Sequence, residues 1–136
     1  MSTTLNTVQR QMTIKHAVAR RADQLSSKAE DLGAQAARSL KENRGRSQLT
    51  GLEALANSTI KTSDILDYIK VRIARASREW AFGEELLKLL QELREEKLVR
   101  LVTPTPEEEQ QYHLMLMREL IRQMVAHYEY AKATQQ

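Results

Sequence analysis

Apolar residues recur at every third or fourth position along most of this chain, the spacing of helices that bury one face. From about Thr4 to Asn43 the stripe runs Leu5, Val8, Met12, Val18, Ala22, Leu25, Ala29, Leu32, Ala36, Leu40, with no proline and one glycine. This predicts one long N-terminal helix, or two collinear helices meeting near Gly33. A continuous helix would extend roughly 57 Å at 1.5 Å per residue, longer than a compact domain of this size needs. The stripe is rich in Ala and gains little from burial. Residues 1–43 therefore read as an interaction arm ahead of a helical core at 44–136.

Asn43-Arg44-Gly45-Arg46-Ser47 interrupts the periodicity, and a positive φ at Gly45 would close the first helix in a loop. Ser47, or Thr50 with Glu53, can then cap a short helix carrying Leu49, Leu52 and Leu55 that ends at Asn57-Ser58-Thr59. Thr62 or Ser63 caps the next helix, which runs to about Ser77. On it Ile65, Leu66, Ile69, Ile73, Ala76 and Trp80 fall within one apolar arc of roughly 100°. Phe82 to Leu98 forms a strongly amphipathic helix through Leu86, Leu89, Leu90 and Leu93. After LVTPTP, Thr105-Pro106-Glu107-Glu108 supplies an N-cap, a proline at the first helical position and a glutamate three residues on. The last helix runs to about Lys132, with Leu114, Met117, Ile121, Met124, Val125 and Tyr128 on one face. The pattern thus predicts an all-α fold of about five helices in a compact bundle, without internal repeats.

Composition supports this reading. The 136 residues fit one domain, and 41% hydrophobic with 29% charged residues excludes a disordered chain. Four Gly, two Pro and one Phe are too few for a sheet protein rich in turns and aromatic strands. No apolar run approaches a membrane span, MSTTLNTVQRQMT has no signal-like apolar core, and cysteine is absent. The expectation is a soluble cytoplasmic protein. Charge is uneven: residues 1–80 carry 14 Lys/Arg against 8 Asp/Glu, and residues 81–136 carry 7 against 10. A chain that is +6 in front and −3 behind suits one face toward a polyanion and another toward protein, including copies of itself.

Catalytic chemistry finds little footing. His113 and His127 stand 14 residues apart on the last helix, His16 is isolated, and no second Glu-x-x-His accompanies Glu109 and His113. The late histidines map to the edge of the apolar stripe. No base and orienting group attend a Ser or Thr nucleophile, and no glycine-rich phosphate loop occurs. Glu107 to Glu109 fall in a first helical turn, where acids favour the dipole. The reading is a protein that is not an enzyme, with no metal site and no cofactor.

Cations are the more informative group. Arg38, Lys41, Arg44 and Arg46 gather at the end of the first helical region. Lys70, Arg72, Arg75 and Arg78 form a second set, with Tyr68 one turn before Arg72 and able to stack on a base or a guanidinium. Such rows beside a buried stripe suit sequence-independent contact with phosphates. The alternative is ordinary ion pairing, Arg75 with Glu79 and Lys70 with Asp67, worth a few tenths of a kcal/mol per pair.

Three segments in order carry a resemblance: SQLTGLEALAN from Ser47, YIKVRIARASRE from Tyr68, and RELIRQMVAHYEY from Arg118. With Ser47-Gln48-Leu49, Ile69-Lys70-Val71-Arg72-Ile73-Ala74-Arg75 and Val125-Ala126-His127-Tyr128 they resemble the small helical subunit of type III CRISPR effector complexes. The resemblance implies a noncatalytic bundle, repeated within a ribonucleoprotein, that supports guide RNA and target RNA beside other effector subunits. It carries Lys70, Arg72 and Arg75 over as RNA-facing residues. A different class of function also fits the pattern: a helical scaffold or adaptor that docks its Ala-rich first helix on protein and holds no nucleic acid.

Overall fold

The computed structural model describes residues 6–134. Among these residues six helices follow one another: α1 (Thr7–Gln24), α2 (Ser26–Ser39), α3 (Glu42–Ser58), α4 (Thr62–Arg75), α5 (Phe82–Arg94) and α6 (Pro106–Thr134). Among the described residues there is no strand, and no helix is long and apolar enough to cross a membrane. Thr4 and Leu5, counted in the expected first helix, lie outside the described residues.

The long N-terminal helix is not found. The longest helix is instead α6, with 29 residues, and the first forty residues are divided at Leu25 rather than at Gly33. At Leu25 the backbone takes φ −92° and ψ 0°, and its N–H is shared between the carbonyls of Ala22 at 3.1 Å and Arg21 at 3.2 Å. The bond from Ala29 N–H to the Leu25 carbonyl restarts the ladder in α2. Gly33 stays helical because its missing side chain is used elsewhere. A Cβ there would stand 2.7 Å from the Met124 carbonyl oxygen and 2.9 Å from the Tyr128 nitrogen of α6. The glycine lets α2 press its backbone against α6, the most extensive helix pairing of the fold.

Both segments of the expected arm contribute to the core. Ile14, Val18, Leu32 and Ala36 are buried in one cluster with Leu49 and Leu52 of α3 and Leu116 and Met117 of α6, so packing is continuous across residue 43. At the open end, Arg10 of α1 forks onto Glu108 of α6 at 2.6 and 2.7 Å, and Gln11 and Gln111 exchange amide hydrogen bonds.

The loop expected at 43–47 is also not found. The break lies at Leu40 and Lys41, both extended, and α3 starts at Glu42, so Gly45, Arg46 and Ser47 are helical. No glycine among the described residues has a positive φ. Gly45 N–H donates to the Lys41 carbonyl, and the glycine serves close approach, since a Cβ there would stand 2.6 Å from that of Leu40. Ser47 and Thr50 are interior residues rather than caps, and α3 ends at Ser58 as its Asn-Ser-Thr sequence suggests.

α4 stops at Arg75. Trp80 still reaches the core, but through the turns at 77–81 rather than through helical register, and it stacks on Phe82 with ring centres 4.8 Å apart. α5 ends at Arg94, and Leu98 is buried from the connection that follows. The capping box at α6 forms as its sequence predicts: Glu108 N–H donates to Thr105 Oγ1 at 3.1 Å, and Thr105 N–H donates to Glu108 Oε1 at 2.9 Å.

Candidate nucleic-acid interface

α4 lays Ile65, Leu66 and Ile69 into the core, which turns Lys70, Val71, Ala74 and Arg75 to solvent. Tyr68 and Arg72 lie on its flank, next to α3. There the Tyr68 hydroxyl donates to the Gln48 carbonyl at 2.6 Å, and the Arg72 guanidinium sits over the ring, 5.2 Å from its centre. Burial raises the Tyr68 phenol above its ordinary pKa, against the opposing pull of Arg72. The ring face expected to stack on a base or a guanidinium thus already carries a guanidinium.

The fit depends on Gly51, one turn after Gln48. A Cβ at this position would come within 2.8 Å of the Tyr68 hydroxyl oxygen. Gln48 acts a second time through its side chain, whose Oε1 accepts from Trp80 Nε1 at 2.8 Å. One residue of α3 therefore fixes both the flank of α4 and the turn that follows it.

The helix pairs of the alternative reading, Arg75 with Glu79 and Lys70 with Asp67, are not formed. α4 has ended before Glu79, so the spacing that would align Arg75 with it no longer applies. Glu79 turns the other way: its carboxylate accepts from Arg44 at 3.1 Å and its carbonyl from Ser39 Oγ at 2.8 Å. This clasp joins the two basic sets that sequence separates. Arg44 faces the turn that carries Arg78, and Ser39 brings its chain neighbours Arg38 and Lys41 to the same end of the molecule. Among the described residues Arg38, Lys41, Lys70, Arg75 and Arg78 are exposed and form no ion pair. Arg72 Nε and Glu79 Oε1 are both buried without a hydrogen-bond partner.

Arg46 does not join this group. Two residues beyond Arg44, it points to another side of α3 and pairs with Glu129 of α6 at 3.0 Å. There it lines a cleft of about 380 Å³ with Glu42, Tyr128 and Lys132. Burial raises the Tyr128 phenol, and the neighbouring Arg46 pulls it down.

Three positioning residues have no strong sequence signal. Gln48 and Glu79 look like surface polar residues until their partners are known, although Gln48 lies inside the Ser47-Gln48-Leu49 motif. Arg118 of α6 closes α3 by donating to the carbonyls of Ala56 at 2.6 Å and Thr59 at 3.0 Å; its stem is surrounded by α6's own apolar run, which hides it. The histidines sit on the edge of packing: both His113 and His127 are half-buried, and the His113 ring meets the Glu96 carbonyl. Among the described residues no group of three or more His, Asp or Glu converges as ligands would.

The assembled surface offers guanidinium and ammonium groups to anionic oxygen, on a frame of buried apolar residues and two neutral hydrogen bonds. Compared with protein-family models, with curated proteins and with solved structures, the chain has no match in any of the three.

Proposed function

We propose that this chain is a noncatalytic RNA-binding subunit that grips sugar-phosphate backbone through Arg44, Lys70, Arg72, Arg75 and Arg78, with Arg38 and Lys41 at the margin. The observation that carries the reading is the Glu79 clasp, which converts two cation sets about thirty residues apart in sequence into one end of the molecule. Six cations of that surface, all but Arg44, have no acidic partner among the described residues. Phosphate neutralises such a surface without first displacing a carboxylate, and the contact reads no base.

The motif resemblance extends this proposal to a small subunit of a type III CRISPR effector complex, cytoplasmic and noncatalytic, seated beside guide RNA and target RNA with other subunits and copies of itself. Its quoted motifs fall on α3, on α4 with the turn after it, and on α6, and Gln48, Tyr68 and Arg72 within them touch in series along the α3–α4 flank. Filter binding of a mixed-sequence oligoribonucleotide at several salt concentrations tests the first part. A steep fall of log affinity with log salt is expected, and a flat response rejects it. Copurification with effector subunits tests the second.

A specific feature also favours the scaffold reading for a separate face. Val8 and Met12 are 66% and 51% exposed one turn apart on α1, a short apolar edge for a partner helix. Deleting the described part of α1 would unfold the core, so Val8→Ser with Met12→Ser is the cleaner variant. Loss of partner proteins with RNA retained separates the two roles.

A further inference from the structure

A second basic site lies at the other end of the bundle, where nothing in the proposed RNA surface uses it. Arg20 and Arg21 of α1 face Lys97 and Arg100 of the segment between α5 and α6, around a cleft of about 130 Å³. Leu98 and Tyr112 line it and are nearly sealed from solvent, at 2% and 6% exposure, as is Ala17. The polar rim is completed by Gln24. Among the described residues no carboxylate lines the cleft. Glu96 stands at its edge and is committed to Arg21, with nitrogen–oxygen distances of 2.7 and 3.0 Å. Among the described residues Arg20, Lys97 and Arg100 form no ion pair.

The segment that carries half of these charges is held in place. Leu98 N–H donates to Glu109 Oε1 at 2.9 Å, Val99 N–H to the Lys97 carbonyl at 3.0 Å, and the Glu96 carbonyl meets the His113 ring. With Arg21 neutralised by Glu96, the three unpaired cations held about one small cleft repel one another, and a compact dianion relieves that repulsion more than a singly charged ion can. The small volume of the cleft suits a compact anion rather than an extended ligand.

We propose that this cleft binds a phosphate group, either as a free phosphate or phosphorylated small molecule or as the terminal phosphate of a polynucleotide. Arg20 and Arg100 supply charge-assisted hydrogen bonds and Lys97 a point charge. The site stands apart from the Arg72 surface: Ser39 and Gln35 of α2 contact Glu79 and Glu85 in that order, so α2 and α5 run antiparallel. The clasp marks one end of that pair and the cleft the other.

Thermal unfolding of the full chain with sodium phosphate, against sodium chloride at matched ionic strength, provides the test. A saturable stabilisation specific to phosphate is expected, weakened about tenfold in apparent affinity in Arg20→Gln with Arg100→Gln, two exposed positions that make no ion pair. Arg72→Ala should leave it unchanged, so failure of the RNA surface and failure of this site are separable. Equal stabilisation by chloride, or unchanged phosphate affinity in the double variant, overturns the proposal. With binding established, tighter capture of a 5′-phosphorylated than a 5′-hydroxyl oligoribonucleotide assigns the strand end as the source. Equal capture assigns the free phosphate.

Discussion

Tyr68 reaches past Gly51 to donate its hydroxyl to the Gln48 carbonyl at 2.6 Å. The bond ties the flank of α4 to α3, and Arg72 rests on the ring so held. Arg72 therefore takes its place from a neutral hydrogen bond rather than from an ion pair.

Tyr68→Phe should lower stability by about 1 kcal/mol, a typical net value for one hydrogen bond. Gly51→Ala brings a methyl against the same hydroxyl, offsetting the helix-propensity gain of roughly 1 kcal/mol that Ala has over Gly. In the Tyr68→Phe background that obstruction is gone, so Gly51→Ala should become stabilising. A urea-denaturation double-mutant cycle reads the coupling, and strict additivity would contradict the packing described.

Arg72→Ala should make the salt slope of RNA binding shallower by about one unit, the value for one phosphate contact. Arg46→Ala should leave the slope unchanged, because Arg46 turns toward Glu129. Equal effects of the two substitutions would mean that the basic end does not form the contact by itself.

Glu79 occupies Arg44 with a carboxylate that RNA must compete with. Glu79→Gln keeps the backbone carbonyl for Ser39 while removing that negative charge. Tighter oligoribonucleotide binding and a steeper salt dependence are expected, measured by fluorescence anisotropy. Weaker binding would show that the clasp orients Arg44 for phosphate more than it restrains it.

Arg10 holds the Glu108 carboxyl down to about 2 from 4.5, aided by the Thr105 N–H. The folded value lies below the unfolded one, so this stabilisation is complete above about pH 4.5 and is lost as pH falls toward 2. Glu119, lowered by Arg122, adds in the same direction. Thermal midpoints should fall on acidification through that interval, and Glu108→Gln should flatten the fall in part.

Gly33→Ala tests the closest helix contact. The added methyl meets backbone of Met124 and Tyr128 under 3 Å away, and overpacking of about 1–3 kcal/mol outweighs the propensity gain of roughly 1 kcal/mol. The urea midpoint should drop at unchanged m value.

Helix identity was legible wherever a full apolar stripe met a chemical boundary signal. Thr105-Pro106 with Glu108 named the start of α6, and Leu86 through Leu93 named the buried face of α5. Break positions were not legible at Leu25 or at Leu40 and Lys41. A turn at Leu25 keeps most of the helical hydrogen bonds and leaves the stripe in phase, so periodicity does not register it. Gly33 and Gly45 read as breakers because glycine permits positive φ, whereas both are used for close approach inside helices. The two basic sets were visible as composition; their union through Glu79 depends on where α4 stops. Lys97 and Arg100 carry no signal of their own beside a glutamate-rich helix, since only the tertiary fold sets them opposite Arg20 and Arg21.

The close seating of Gly33 on α6 has a consequence for any ligand spanning the molecule. A helix pinned at its midpoint, backbone to backbone, has no room to slide or ratchet along its neighbour. The two positively charged ends flanking α2 are thus kept apart by a fixed strut of 14 residues, roughly 21 Å at 1.5 Å per residue. A strand that engages both must match that span by its own length, because the protein will not adjust to it.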